Sequence, residues 1–267
     1  MQIPIAQVAA FADGPFTGNP AAVCVLDQEL NDALMQAIAA ELNLSETAFV
    51  HRRHGRHSLR WFTPTCEVDL CGHATLAAAA VLFQQDPQAQ ALSFATRSGV
   101  LTVSQEPAPE IPMLTLDFPA QPAQACAAPP ALIDALGATP LHCRFGIDWM
   151  AVFANEAEIR ALKPNMAALK LLNGRGVIVT APGDSVDLVS RFFAPRIGIA
   201  EDPVTGSAHT ALAPYWAERL GKQTLTARQL SARGGSLHCR LTGERVRISG
   251  QVVPFLQGVL QLPKDFA

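Results

Sequence analysis

The chain has 267 residues, of which 49% are hydrophobic and 16% charged, with a formal net charge of -3. That length fits one large domain or two of ordinary size, and the apolar content excludes a disordered chain. The near-neutral balance and an aromatic content of only 6% give neither an electrostatic nor a stacking basis for binding nucleic acid or an anionic membrane.

Met1 to Ala12 lacks the basic start and apolar run of a targeting segment, and the longest apolar stretch, around Ala74–Phe83, is too short to span a bilayer. A cytoplasmic protein is therefore expected. In chain order, Val8–Phe11 and Ala21–Leu26 read as strands. Leu30, Leu34, Ile38 and Leu42 then mark one face of a helix that Asn43 can end, and a strand begins over Ser45–Val50. The basic run His51–His57 reads as a solvated hairpin tip. From Gly72 to about Gln84 the sequence is apolar almost all round, the signature of a core helix. Strands follow at Leu92–Ala95, Val100–Ser104 and Leu114–Phe118, and Pro119–Pro130 resembles a linker. Beyond it, Val177–Thr180 and Arg245–Ile248 read as strands. A second core helix, containing Pro214, spans Gly206 to Leu220, with Gly221 as its stop. Gly174-Arg175-Gly176 lacks the third glycine and following helix of a dinucleotide fingerprint. The six cysteines contain no C-x-x-C pair and read as reduced thiols. Cys66 and Cys71 lie near His73, but no second ligand pair has zinc spacing, so no metal is expected.

The chain repeats itself. Arg60-Trp61-Phe62-Thr63-Pro64, Asp69 and Gly72-His73-Ala74-Thr75-Leu76-Ala77 are answered by Arg191-Phe192-Phe193-Ala194-Pro195, Asp202 and Gly206-Ser207-Ala208-His209-Thr210-Ala211. A third block, Arg97-Ser98-Gly99-Val100-Leu101, is answered by Arg233-Gly234-Gly235-Ser236-Leu237. The expected fold class is α+β: two pseudo-symmetric domains, each a mostly antiparallel sheet wrapped around a central apolar helix. Residues 1–118 and 119–255 are the expected halves, with the tail, 256–267, packing back onto the first.

Helix starts at Gly72 and Gly206 offer free backbone N–H groups that attract anions. If the halves face each other, both starts point into one cleft, suited to a substrate carboxylate or to an enolate formed by proton transfer. Taken alone, Asp69 and Asp202 read more readily as loop or N-cap residues. Such a cleft needs a base, and Glu46 is the best candidate. A carboxylate entering an apolar strand is either at its solvated end, which position alone favours, or partly desolvated and so a better acid/base. The repeat places Glu46 opposite Val177, Cys71 opposite Thr205 and His73 opposite Ser207. One carboxylate without a counterpart fits tautomerisation or double-bond migration better than a two-thiol racemase.

Phe16-Thr17-Gly18-Asn19-Pro20-Ala21-Ala22-Val23, Asn43-Leu44-Ser45-Glu46-Thr47-Ala48-Phe49-Val50, Gly72-His73 and Glu201-Asp202-Pro203-Val204-Thr205-Gly206-Ser207-Ala208 lie in order along the chain, with Ser249-Gly250 near its end. Together they resemble the phenazine-biosynthesis (PhzF-like) isomerase family nearly end to end. The resemblance implies the diaminopimelate-epimerase-like fold, a homodimer, no organic cofactor and no metal. It makes Glu46 the general acid/base. His73, Asp202 and Ser207 would then line the pocket, with the backbones of Gly72 and Gly206 holding anionic groups. The family's best-understood member isomerises dihydro-3-hydroxyanthranilate. This sequence departs from that enzyme at Cys71-Gly72-His73-Ala74-Thr75, where the enzyme resembles A-G-H-P, and at His209, where a small residue is expected. The expected function is a cofactor-independent proton shift on a small carboxylate-bearing substrate. The alternatives are a thiol-based amino-acid racemase using Cys71 and a non-catalytic small-acid-binding protein.

Overall fold

A computed structural model describes residues 1–53, 56–106 and 112–263. The chain divides into two compact units, one made of residues 1–117 with 249–267 and the other of residues 118–248. The tip of the basic hairpin, at residues 54 and 55, and the end of the tail lie outside the described residues.

In the first unit, β1 (Gln2–Ala10) pairs antiparallel with β2 (Asn19–Leu26). Helix α1 (Asp32–Leu42) crosses to β3 (Glu46–Arg53), which runs parallel to β2 with Glu46 opposite Ala21. Asn31 caps α1 by accepting the Leu34 N–H, and Asn43 ends it in the left-handed conformation at φ 48°. Leu34, Met35 and Ile38 of α1 are buried. The sheet continues antiparallel from β3 to β4 (Arg56–Phe62) and on to the short β5 (Glu67–Val68). Helix α2 (Gly72–Gln85) follows and packs on β1, β2 and β3. Its residues from Gly72 to Ala79 are all buried, and alanine dominates because a small side chain lets the strands close on the helix from several sides. Strands β6 (Ala91–Thr96), β7 (Gly99–Glu106) and β8 (Met113–Pro119) complete the run.

The second unit opens with β9 (Gln124–Cys126), so the stretch read as a linker carries a paired strand. Helix α3 (Pro130–Leu136) and strands β10 (His142–Phe145) and β11 (Trp149–Val152) follow. After the short helices α4 (Glu156–Ala161) and α5 (Met166–Leu169) come β12 (Val177–Ala181), β13 (Leu188–Ala194) and β14 (Ile199–Asp202). Helix α6 (His209–Leu220) is preceded by a 3-10 turn over Gly206–Ala208, so its regular part begins three residues later than the sequence suggested. Pro214 removes the donor that would have met the Thr210 carbonyl, and the Gln121 backbone N–H takes that carbonyl at 2.9 Å. Strands β15 (Thr224–Gln229), β16 (Gly235–Thr242) and β17 (Arg245–Gln261) follow. The distal part of β17 pairs antiparallel with β1 from Ala10 to Gln2.

Strand pairing follows the same order in the two units. Parallel β2–β3 corresponds to parallel β11–β12, antiparallel β3–β4 to β12–β13, parallel β4–β6 to β13–β15, and antiparallel β6–β7 to β15–β16. Side chains repeat too. Arg60 grips Glu67 with two 2.7 Å hydrogen bonds and lies over the Phe62 ring, while Arg191 grips Glu201 and lies over Phe193. Register corrects one detail. Trp61 faces Val68, and its counterpart Phe192 faces Asp202. The residue matching Asp202 is thus Val68, and Asp69 has no acidic counterpart.

Candidate functional site

In the first unit the sequence delivers three polar groups to one end of a parallel strand pair. Asn19 starts β2 and Glu46 starts β3, and parallel register sets those starts side by side. Asn19 reaches this position through a tight turn at Gly18, whose φ of +75° and 2.6 Å clearance from the Ala10 carbonyl to a would-be Cβ admit only glycine. His73 enters from the first turn of α2. Its Nε2 lies 3.2 Å from Glu46 Oε2, off the line of a hydrogen bond, and its Nδ1 lies 3.2 Å from the Asn19 side-chain amide and 3.5 Å from Cys71 Sγ. The amide can offer its N–H to a neutral ring or, turned over, its oxygen to an imidazolium.

All four side chains are buried. Glu46 is 7% exposed, so the solvated strand end that its position suggested is not what the fold provides. The parallel neighbour and α2 together cover it. Burial, the strongest influence on His73, pushes its pKa down, but the adjacent Cys71 sulfur and the Glu46 carboxylate overcome it and hold the imidazolium well above its ordinary range. Burial and the nearby Glu46 charge push the Cys71 thiol up, against the opposing pull of His73. One ligand atom from each of Glu46, Cys71 and His73 falls within 4.8 Å of the other two, a donor set able to hold a metal ion that the spacing of these residues along the chain did not suggest.

Asp202, Ser207 and Gly206 lie in the second unit, in a network of their own. Thr205 donates a short hydrogen bond to Asp202. The buried Gln229 accepts the Thr205 N–H at 2.8 Å and donates to the Asp202 carbonyl at 2.7 Å, fixing the loop before Gly206. Arg175 donates to Ser207 Oγ at 3.0 Å and is itself held by Asp148 through bonds of 3.0 and 2.6 Å. Sequence reasoning weighed Gly174-Arg175-Gly176 only as a nucleotide motif and missed Arg175, Asp148 and Gln229, whose partners come from distant segments. Asn19 had a signal in Gly18-Asn19-Pro20, but its contact with His73 was not inferred.

The repeat also explains His209. Thr75 in α2 donates its hydroxyl to the Cys71 carbonyl at 2.5 Å, and at the matching place His209 Nδ1 meets the Thr205 carbonyl at 2.9 Å. Burial lowers the His209 pKa to about 4, so this imidazole is a neutral helix-start bond rather than a proton carrier. Opposite Phe193, as Thr47 is opposite Phe62, stands Val177, which makes Gly176 the counterpart of Glu46. A Cβ at Gly176 would sit 2.6 Å from the Phe192 ring. The second unit has no room for a matching acid there.

Residues 8–258 match the family described as phenazine biosynthesis-like protein. The chain belongs to that family. It is 54% identical over 98% of its length to the whole of a protein of Pseudomonas aeruginosa named an uncharacterized isomerase. The crystal structure of a PhzF-family phenazine biosynthesis protein from Enterococcus faecalis superimposes with a TM-score of 0.94 at 46% identity, covering 98% of this chain and all of that one. A hydroxyproline epimerase from Agrobacterium vitis shares the fold, at a TM-score of 0.63 and 9% identity over 97% of this chain and 92% of its own. The mixed α and β architecture is thus that of the PhzF family and of the proline racemase and epimerase type. Among the described residues, no helix is long and apolar enough to cross a membrane.

Proposed function

We propose that this member of the phenazine biosynthesis-like family is an isomerase that shifts a proton on a small carboxylate-bearing substrate, with Glu46 as the single acid/base. The carrying observation is the buried Glu46–His73 pair together with Gly176 at the position matching Glu46. Glu46 removes a proton from a carbon acidified by a neighbouring carbonyl or carboxyl group and returns it elsewhere on the same face. The His73 imidazolium supplies positive charge beside the carboxylate and beside the enolate that forms. His73 and the backbone of Gly72 bind and orient the substrate, the helix start favouring its anionic groups. The isomerase named among the relatives supports the reaction class.

Two features speak against the thiol racemase. Burial and the Glu46 charge disfavour the Cys71 thiolate, and its counterpart Thr205 is already bonded to Asp202. Solvent deuterium should enter a turned-over substrate with the unmodified protein and fail to enter with Glu46→Gln, while Cys71→Ala retains turnover. Exchange that persists in Glu46→Gln removes this carboxylate from the mechanism, and loss of turnover in Cys71→Ala restores the thiol reading.

A further inference from the structure

Two cysteines outside the proposed site face each other across the β9–β10 ladder of the second unit. Cys126 and Cys143 are directly opposed in antiparallel register, and their sulfurs are 3.9 Å apart. Opposed residues of antiparallel strands have Cα atoms about 4.5–5.5 Å apart, inside the range a disulfide spans. The pair is unequal. Cys126 is exposed and Cys143 buried, and burial together with its contact with the Cys126 sulfur pushes the Cys143 thiol up to about 12. They lie in a groove of about 470 Å³ that also holds Arg144, Arg219, His142 and Tyr215. Arg144 is fixed there by a 2.8 Å bond to the Ala123 carbonyl and by its position over the Tyr215 ring.

We propose that Cys126 and Cys143 are a dithiol–disulfide exchange site for a small carboxylate-bearing disulfide that docks on Arg144 and Arg219. The Cys126 thiolate attacks one sulfur of the docked disulfide, forming a mixed disulfide and expelling the first small thiolate. Cys143 then gives its proton to the first expelled thiolate and attacks Cys126 Sγ. The cross-strand bond closes and the second small thiolate leaves, so the protein dithiol is oxidised and one small disulfide is reduced to two thiols. The exposed member attacks and the buried one resolves, the order set by access. Cysteine pairs in reducing compartments serve transient exchange of this kind rather than permanent cross-linking.

The test treats the full chain with oxidised glutathione and follows intact mass and peptide maps. The unmodified protein should lose two hydrogens at a Cys126–Cys143 link. Cys143→Ser should keep one glutathionyl group on Cys126, and Cys126→Ser should leave Cys143 unmodified. Cys66, exposed and hydrogen-bonded to Thr63 rather than to a thiol, is the internal reference for a thiol that keeps its adduct. Cystamine, a cationic disulfide, should react with Cys126 at least about tenfold more slowly than glutathione disulfide, because the arginines repel it. An unlinked pair in the unmodified protein, or modification of Cys143 in Cys126→Ser at the unmodified protein's rate, overturns the exchange site. Equal rates for the two reagents overturn the arginine docking.

Discussion

Glu46 Oε2 stands 3.2 Å from His73 Nε2, and both side chains are more than nine-tenths buried. Shielded from water in this way, the imidazole keeps its proton more tightly because Cys71 and the Glu46 carboxylate stand beside it. The pair belongs wholly to the first unit.

Its first consequence is a pH dependence of stability. The folded-state pKa of His73 is raised, so its contribution is complete below the unfolded histidine value of about 6.5 and is lost as pH rises through the folded value. The stability difference between the unmodified protein and His73→Gln should therefore be greatest in mildly acidic buffer and shrink in alkaline buffer. Urea denaturation across that range measures it. A difference that does not change with pH would show that no proton is held by the pair.

His209 predicts the opposite slope. Its folded pKa of about 4 lies below the unfolded value, so the unfolded chain binds an extra proton between the two. Stability should decline as pH falls through that window, by about 3 kcal/mol in all, and level off below it. His209→Thr places at this position the residue that makes the matching bond in the first unit, and should flatten the decline. Urea midpoints for both proteins at a series of acidic pH values decide it; parallel curves would mean that another group titrates.

Arg175→Lys keeps the charge but loses the forked grip on Asp148 and the bond to Ser207. Asp148 is buried, and leaving it poorly paired should cost about 2 kcal/mol, below the usual figure for a buried pair because the Arg175 side chain is 33% exposed. If Ser207 binds substrate, KM should rise with kcat little changed. Denaturant titration and steady-state kinetics on one preparation separate the two effects. A fall in kcat at unchanged KM would move Arg175 from positioning to the chemical step.

The sequence by itself offered the repeated blocks, the two apolar helices opening at Gly72 and Gly206, the end of α1 at Asn43 and the candidate status of Glu46 and His73. Each of these is written in local patterns: apolar periodicity, a glycine before a helix, a motif repeated in order. It could not determine the environment of Glu46, because a strand's first residue is solvated or buried according to what packs over it, and here a parallel neighbour and a helix from far along the chain do so. Register likewise was decided only by pairing, which moved the counterpart of Asp202 from Asp69 to Val68. Arg175 meeting Ser207 and Cys126 meeting Cys143 depend on the same long-range closure. Local chemistry fixes which groups a segment carries, whereas the partners, burial and protonation of those groups are properties of the packed chain.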